Sequence, residues 1–352
     1  MARAQRQAAS PAFRPVEMAK LAPLFVRAAE STAQRWTTAA QPTVGIEQEM
    51  RRLTFDIILE TMLSGAADFD RAAMSARIGR LFAQISGIRI SYLLAPDRFH
   101  DGRPSPRTPD RAQLLRDIGA MIARRRSAPP QGDLVDMLMK ARDPRTDAAL
   151  SDSVLADNLL GFIVAGHETT ALTLTWALYL LAAHAPTLRR VRDEVTAVAG
   201  DDAIAPEHVA HLVFTRQVIS EVMRLYPAGF MLTRVAQNAT TLAGRRVTAG
   251  QRVNIPVYAI HRRADAFPDP HAFAPDRFAP DRPAPDRFAY IPFGAGPRIC
   301  LGAAFAAAEM VTVLATLARR IDFTPPPVDA VWPIAKLSIV PRGGLPMQVR
   351  AR

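Results

Sequence analysis

Cysteine is almost absent from this sequence, since Cys300 is the only one among 352 residues. A single cysteine excludes an internal disulfide and fits a reducing compartment. No cleavable signal sequence is recognisable at the beginning of the chain, so we expect a cytoplasmic protein. Long polar or Gly/Ser-rich linkers are also missing, and 49% of the residues are hydrophobic. We therefore expect residues 1–352 to form one domain with a core of ordinary size.

Lysine is scarce as well, because only three of the 44 basic residues are lysines, namely Lys20, Lys140 and Lys336. The net charge of +11 thus comes from arginines, and these are dispersed along the chain. No basic run with interleaved aromatic residues occurs, so we predict no nucleic-acid partner. A basic face would instead speed the docking of an acidic electron-transfer protein.

The most informative stretch runs from Phe288 to Gly302 and contains the only cysteine. A lone thiolate on a glycine-containing loop suits the axial position of a haem, whereas zinc needs further ligands close by. Gly294 and Gly296 allow the backbone to turn tightly and to approach a flat cofactor. The helix predicted next can donate amide hydrogen bonds to the sulfur. The alternative for Cys300 is a buried small hydrophobic residue.

This run, Phe-Gly-x-Gly-x-Arg-x-Cys-x-Gly, resembles the haem-binding loop of cytochrome P450 monooxygenases. The resemblance implies that Cys300 ligates the iron of haem b, that Phe293 and Gly294 lie beside the ring, and that Arg298 reaches a haem carboxylate. It also implies the cytochrome P450 fold, mainly α with a minor β portion, here lacking the N-terminal portion of the family.

A long apolar helix is predicted from Leu155 to Ala183. Its composition is close to that of a membrane span, but Asp157, Asn158, His167 and Glu168 are polar groups that are costly in lipid. We therefore predict a helix buried in the protein and no membrane span.

The centre of that helix, Ala165 to Thr170, matches the Ala-Gly-x-Glu-Thr oxygen-activation motif of the family. The resemblance implies that Thr169 and Glu168 are catalytic. From the residues alone, Gly166 and the adjacent threonines predict a locally loosened turn, and the alternative for Thr169 is a hydroxyl bonded to the preceding turn. We assign His167 no catalytic role.

Glu221 and Arg224 form an i, i+3 pair on a predicted helix, and an exposed ion pair is the ordinary interpretation of such a pair. The order of this pair and the later Ala-Pro-Asp-Arg277 segment resembles the Glu-x-x-Arg helix and arginine motif of the family. The resemblance implies that Glu221, Arg224 and Arg277 form a buried ion network that holds the cysteine loop.

The resemblance implies two further arginine contacts with haem propionates, from Arg234 and Arg6. Ala2 stands where the family helix carries an aromatic residue or histidine, one turn before Arg6. Four apolar residues are expected to form walls of the substrate pocket: Phe162, Ala165, Phe230 and Met231.

The activity implied is insertion of one atom of O2 into a small apolar organic substrate. No flavin or nicotinamide motif is present, so electrons are expected from a ferredoxin or flavodoxin-type donor with its reductase. Two alternatives stay open, a peroxide-dependent enzyme of the same fold and a truncated remnant without activity.

Hydrophobic periodicity also predicts the remaining elements. The predicted helices are Met1–Phe13, Pro15–Trp36, Gly45–Leu63, Ile78–Ile90, Leu114–Arg126 and Leu301–Arg319. Short strands with turns are predicted from Val235 to Ile260 and again at the end of the chain. In the resembled family, the region that corresponds to residues 68–128 forms a lid over the substrate.

Overall fold

The fold was analysed in a computed structural model, which describes residues 3–39, 42–63, 70–86, 108–143, 146–327 and 331–352. The described chain is mainly helical. Its α-helices are α1 (Arg3–Ala9), α2 (Pro15–Ala19), α3 (Ala22–Thr38), α4 (Ile46–Leu63), α5 (Arg71–Ser86), α6 (Pro109–Arg126), α7 (Leu134–Met139), α8 (Asp152–Ala183), α9 (Ala185–Ala199), α10 (Val213–Leu225), α11 (Val257–Ile260) and α12 (Ala303–Arg320).

The strands form small antiparallel sheets, so the expected minor β portion is confirmed. They are β1 (Thr43–Gly45), β2 (Leu232–Val235), β3 (Thr240–Leu242), β4 (Arg245–Val247), β5 (Arg252–Ile255), β6 (Ile321–Thr324), β7 (Pro333–Ala335), β8 (Ile339–Pro341) and β9 (Pro346–Ala351). Strand β9 lies between β1 and β6, while β2–β5, β3–β4 and β7–β8 are two-stranded pairs. In the β2–β5 pair, Arg234 lies opposite Val253.

Proline alters two of the predicted helices. In the described part of the predicted helix Met1–Phe13, Arg3–Ala9 is α-helical and Ser10–Phe13 is a 3-10 turn, where Pro11 lacks an amide donor. The prediction of one helix over Pro15–Trp36 is wrong, because α2 ends at Ala19 and α3 begins at Ala22. Pro23 in the first turn of α3 cannot donate to a carbonyl of the preceding turn, so the helix is interrupted there.

Helix α8 passes through the middle of the core and is the longest described helix, with 32 residues. It begins three residues earlier than predicted because the Ser151 hydroxyl accepts a hydrogen bond from the Val154 amide at 3.4 Å. Among the described residues, no single helix is long and apolar enough to cross a membrane. Helices α8 and α9 pass that test only as a pair, and the pair is bent by 110°.

Within the segment predicted as short strands with turns, Ala243–Gly244 joins β3 to β4, and both residues have positive φ, as a two-residue hairpin turn requires. The strand prediction is wrong for its last part, since Val257–Ile260 is the short helix α11. Pro256 precedes this helix, and the β-branched and aromatic residues that suggested a strand lie on its single turn. Residues 78–86 of the predicted helix Ile78–Ile90 lie in α5, which begins at Arg71. Residues 68–69 and 87–107 of the expected lid lie outside the described residues.

One large cluster of buried side chains connects α3, α4, α8, α10 and α12. Phe25 of α3 packs edge-on against Phe305 of α12, with ring centroids 5.5 Å apart. Helix α12 follows the cysteine loop, and α8 carries the Ala165–Thr170 motif. The core therefore holds the two most informative stretches of the sequence close together.

Candidate functional site

The cysteine loop is shaped by two glycines and by hydrogen bonds across it. Gly294 and Gly296 have φ of +75° and +72°, values that other residues rarely adopt. The Cys300 amide donates to the Phe293 carbonyl at 2.9 Å, and the Gly294 amide donates to the Ile291 carbonyl at 3.0 Å. These bonds close the loop so that the cysteine lies directly before α12.

Cys300 forms no disulfide, is exposed, and is one of the residues that line a cavity. Desolvation of the sulfur by the protein around it raises the pKa of the Cys300 thiol. A hydrogen bond from the Gly302 backbone and the positive charge of Arg6 act in the opposite direction. Both groups therefore favour the thiolate, which is the form that binds a metal.

The cavity has a volume of about 280 Å³ and lies between α8 and the cysteine loop. Its walls are mostly apolar, and the hydroxyl groups on them come from threonines of α8. Helix α8 contributes Phe162, Ala165, Gly166, Thr169, Thr170 and Thr173, and the loop contributes Pro292, Phe293, Gly294 and Cys300. The sulfur of Cys300 and the side chain of Thr169 thus share one cavity.

Helix α8 is continuous through the Ala165–Thr170 motif, so the expected loosened turn is absent from this described segment. The Thr169 hydroxyl donates to the Ala165 carbonyl at 2.9 Å, which is the simple back-bonded arrangement. Gly166 has a different role, because a Cβ atom there would lie 3.0 Å from the Ile58 side chain of α4. The glycine allows α4 and α8 to approach closely.

Glu168 is turned towards α4 and does not line the cavity. It is buried and forms an ion pair with Arg51. Arg51 also binds Glu47 through Nη2 at 2.9 Å and Nε at 3.2 Å. The Thr54 hydroxyl, on the same helix, donates to the His167 carbonyl at 2.9 Å. Polar side chains of α4 therefore bind the motif on the face of α8 that points away from the cavity.

His167 also lies on the α4 side, where its ring packs edge-on against Phe55 at a centroid distance of 5.6 Å. Its Nδ1 atom lies 3.1 Å from the Ile163 carbonyl. Burial lowers the pKa of His167 to about 4, although the bond to Ile163 acts against this shift. The neutral ring is a packing group on the face of α8 away from the cavity.

Glu221 and Arg224 are fully buried and form a bidentate ion pair on α10, with N–O distances of 2.7 and 2.8 Å. Arg277 Nε lies 3.4 Å from the same carboxylate, and the Ala274 amide donates to it at 2.9 Å. Arg224 also donates to the backbone carbonyls of His261, Pro270 and Ala272. The network thus connects α10 with the chain segment that leads to the cysteine loop.

Comparison with known proteins gives this site its context. The sequence profile described as Cytochrome P450 matches residues 1–349. The chain belongs to the cytochrome P450 family. This confirms the family expected from the sequence, and members of the family bind a haem cofactor.

Two of the sequence relatives illustrate the degree of similarity. Cytochrome P450 137 of Mycobacterium tuberculosis is 35% identical, over 82% of this chain and 60% of its own length. The cyclooctat-9-en-7-ol 5-monooxygenase of Streptomyces melanosporofaciens is 33% identical, over 92% of this chain and 71% of its own length. The chain thus spans less than two thirds of the Mycobacterium relative.

Solved structures confirm the predicted fold. The haem domain of cytochrome P450DA superposes with a TM-score of 0.85 at 25% identity, covering 99% of this chain and 75% of that one. A retinoic acid-bound cyanobacterial cytochrome P450 gives a TM-score of 0.83 at 27% identity, covering 99% and 78%. The relatives include proteins named as a monooxygenase and as a hydroxylase.

The three arginines expected at the haem propionates differ in their surroundings. Arg6 lies near enough to Cys300 to act on its charge. Arg234 is exposed and donates to the neighbouring Thr233 carbonyl at 3.0 Å, on the side of β2 that also carries the cavity residue Leu232. Arg298 is exposed in the 3-10 turn before Cys300. Among the described residues, no carboxylate pairs with any of the three.

Of the four expected pocket residues, Phe162 and Ala165 lie on the cavity wall. Phe230 and Met231 do not line it, because Phe230 packs against the core and Met231 is 46% exposed. The next residue on the strand, Leu232, reaches the cavity instead.

Several wall residues were missed by sequence reasoning because they come from distant segments. These are Phe13, Ile58, Met62, Met223, Phe305 and Met310. The ring of Phe13 packs edge-on against Phe162 at 5.1 Å. Their apolar periodicity indicated core positions, and a cavity wall has the same pattern as a core.

Proposed function

We propose that the chain is a haem-thiolate monooxygenase that inserts one atom of O2 into a small apolar organic substrate. The observation that carries the proposal is that the only cysteine opens into a mostly apolar cavity that it shares with Thr169. Relatives named as monooxygenases support the same reaction class.

The described residues fit haem b. Cys300 offers a single sulfur donor with a hydrogen bond from the Gly302 backbone, and Phe293 and Phe305 offer apolar faces in the same cavity. Arg6, Arg234 and Arg298 would bind the propionates, since each guanidinium is without a carboxylate partner among the described residues. Bound haem supplies the binding and reductive activation of O2, and a thiolate ligand favours O–O cleavage.

Thr169 and Glu168 are proposed to supply protons to the cavity. The Thr169 hydroxyl lies on the wall and can exchange its bond to the Ala165 carbonyl for a polar ligand. Glu168 lies one residue earlier and contacts Arg51, whose side chain is 32% exposed. In this proposal Glu168 acts from the side of α4 through its ion pair with Arg51, and Thr169 donates its hydroxyl proton within the cavity.

The remaining assignments are also proposals. The apolar walls select an apolar substrate, and the net charge of +11 favours an acidic ferredoxin or flavodoxin-type donor with its reductase. We propose one domain over residues 1–352, because one buried cluster includes residues from Ala9 to Val349. The cytoplasmic location stays a prediction of the sequence.

The test is replacement of the cysteine. Cys300→Ala should abolish the thiolate-type spectrum of the reduced carbon monoxide complex, because no second cysteine can replace it. Thr169→Val is the matched control, since it changes the same cavity and should keep that spectrum. A Cys300→Ala protein with an unchanged thiolate spectrum contradicts the assignment.

The same preparation separates the two alternatives. A peroxide-dependent enzyme would give product with hydrogen peroxide but none with O2 and a reductase system. A remnant would bind no stoichiometric haem while still giving a cooperative unfolding transition.

A further inference from the structure

His261 is a buried histidine that the proposed reaction does not use. It follows α11 directly and is 0% exposed. Its Nε2 atom accepts a hydrogen bond from the Ile291 amide at 2.8 Å. Ile291 lies at the start of the cysteine loop, so the imidazole contacts the loop through its backbone.

The other contacts of His261 lead to the ion network on α10. Its backbone carbonyl accepts a hydrogen bond from Arg224 Nη1 at 3.1 Å. Its ring lies 5.2 Å from the ring of Tyr290, whose hydroxyl donates to the Ser220 carbonyl at 2.9 Å. His261 is thus fixed on one side by α10 and bonded on the other side to the loop.

The imidazole must be neutral to accept the Ile291 bond, because an imidazolium has N–H groups at both positions. Burial lowers the pKa of His261 to about 4, and the charges of Arg224 and Arg262 lower it further, whereas the nearby backbone of Met223 and Arg224 acts in the opposite direction. Among the described residues, Nδ1 has no partner within hydrogen-bond distance. The neutral form with an accepting Nε2 is therefore the form present near neutral pH.

From Ile291 the hydrogen bonds continue to the cysteine. The Ile291 carbonyl accepts from the Gly294 amide at 3.0 Å, and the Phe293 carbonyl accepts from the Cys300 amide at 2.9 Å. These hydrogen bonds, joined by the His261 side chain and by the backbone of the loop, thus connect Arg224 with the segment that presents the sulfur.

We propose that His261 is a positioning residue for the thiolate ligand, acting through the Ile291 amide. The proposal rests on the proposed haem-thiolate function. Loss of the acceptor leaves a buried amide without a partner and releases the start of the loop, so the sulfur is held less firmly at the iron.

Two substitutions of matched polarity separate this role from packing. In His261→Gln the side-chain carbonyl oxygen can reach the former place of Nε2 and accept from Ile291. In His261→Asn the shorter side chain places its oxygen near the former Nδ1 and leaves the amide unbonded. Tyr290→Phe is the control, because it removes the bond to Ser220 next to the same loop without touching the Ile291 amide.

The first readout is hydrogen exchange of the Ile291 amide, measured in the haem-loaded and haem-free proteins. We expect exchange about tenfold faster in His261→Asn than in the wild type, from the loss of one buried hydrogen bond. His261→Gln and Tyr290→Phe should stay within about threefold of the wild type at this amide.

The second readout is the rate at which the thiolate-type spectrum of the reduced carbon monoxide complex is lost. The His261→Asn protein should lose it several-fold faster, and His261→Gln should restore the wild-type rate. Equal Ile291 exchange and equal spectral decay in the Asn and Gln variants would overturn the proposal. If the wild type itself gives no thiolate-type spectrum, the proposed function fails, and the exchange data still decide whether His261 holds the loop.

Discussion

The buried carboxylate of Glu221 gives the sharpest stability prediction. In Glu221→Gln, size and shape are kept, but one carboxylate oxygen becomes an amide group that points N–H donors at the Arg224 guanidinium. Arg224 is 0% exposed and keeps only neutral acceptors, namely backbone carbonyls and the amide oxygen, so its charge stays buried without a counter-ion. Breaking a buried ion pair from one side costs about 3–5 kcal/mol. We expect a loss of about 3 kcal/mol of unfolding free energy, because the amide oxygen retains one hydrogen bond.

Urea unfolding followed by circular dichroism measures this loss. Arg263→Gln is the matched control, since the Arg263–Asp265 pair has the same charges but is 57% and 65% exposed. Exposed pairs contribute about 0–1 kcal/mol, so the control should be nearly neutral. A Glu221→Gln midpoint equal to that of the control, with the same dependence on urea, would refute the argument for a buried, charge-paired network.

Three further predictions follow from the described contacts. Gly166→Ala should lower the unfolding free energy by about 1–3 kcal/mol, because the added methyl group overlaps with α4. Gly119→Ala on α6 is the control, and since the space around it is open, it should raise the unfolding free energy by about 0.5–1 kcal/mol in the same urea assay. Thr169→Ala should keep haem binding and divert electrons to peroxide, so an unchanged ratio of product to electrons consumed would contradict its role. Burial lowers the pKa values of His167 and His261 from 6.5 to about 4. The unfolding free energy that the neutral rings contribute above pH 6.5 should therefore be lost as the pH drops towards 4, by up to about 3 kcal/mol for each histidine. A flat unfolding free energy over this range would show that the rings are not buried as neutral groups.

Local sequence patterns predicted the parts of the site in which the residue type decides the backbone. Gly294 and Gly296 have the positive φ that the loop prediction requires, and the helix after Cys300 begins within two residues of the expected position. The break between α2 and α3 could have been predicted from Pro23, since a proline in the first turn of a helix is a recognised start signal. The short helix Val257–Ile260 could not have been predicted in this way, because a four-residue segment is too short for its periodicity to distinguish helix from strand.

Contacts between distant segments could not be predicted from the pattern. The Thr54 hydroxyl meets a carbonyl 113 residues away, and the His261 ring meets an amide 30 residues away. Neither residue belongs to a recognisable motif, and a threonine in a helix is ordinarily bonded to its own preceding turn. Such residues become visible only when the fold brings the segments together.

The Ala165–Thr170 motif illustrates how packing and chemistry share one turn of helix. Successive side chains of an α-helix are separated by about 100°, so consecutive residues cannot all face the cavity. Here Gly166 admits α4, His167 is buried against Phe55, and Glu168 pairs with Arg51, while Thr169 lines the cavity. A substitution at the first three positions changes the α4–α8 contact, and at Glu168 it would change the proposed proton supply as well. The activity of such variants therefore has to be compared at equal folded fraction, and only Thr169 can be interpreted directly from its rate.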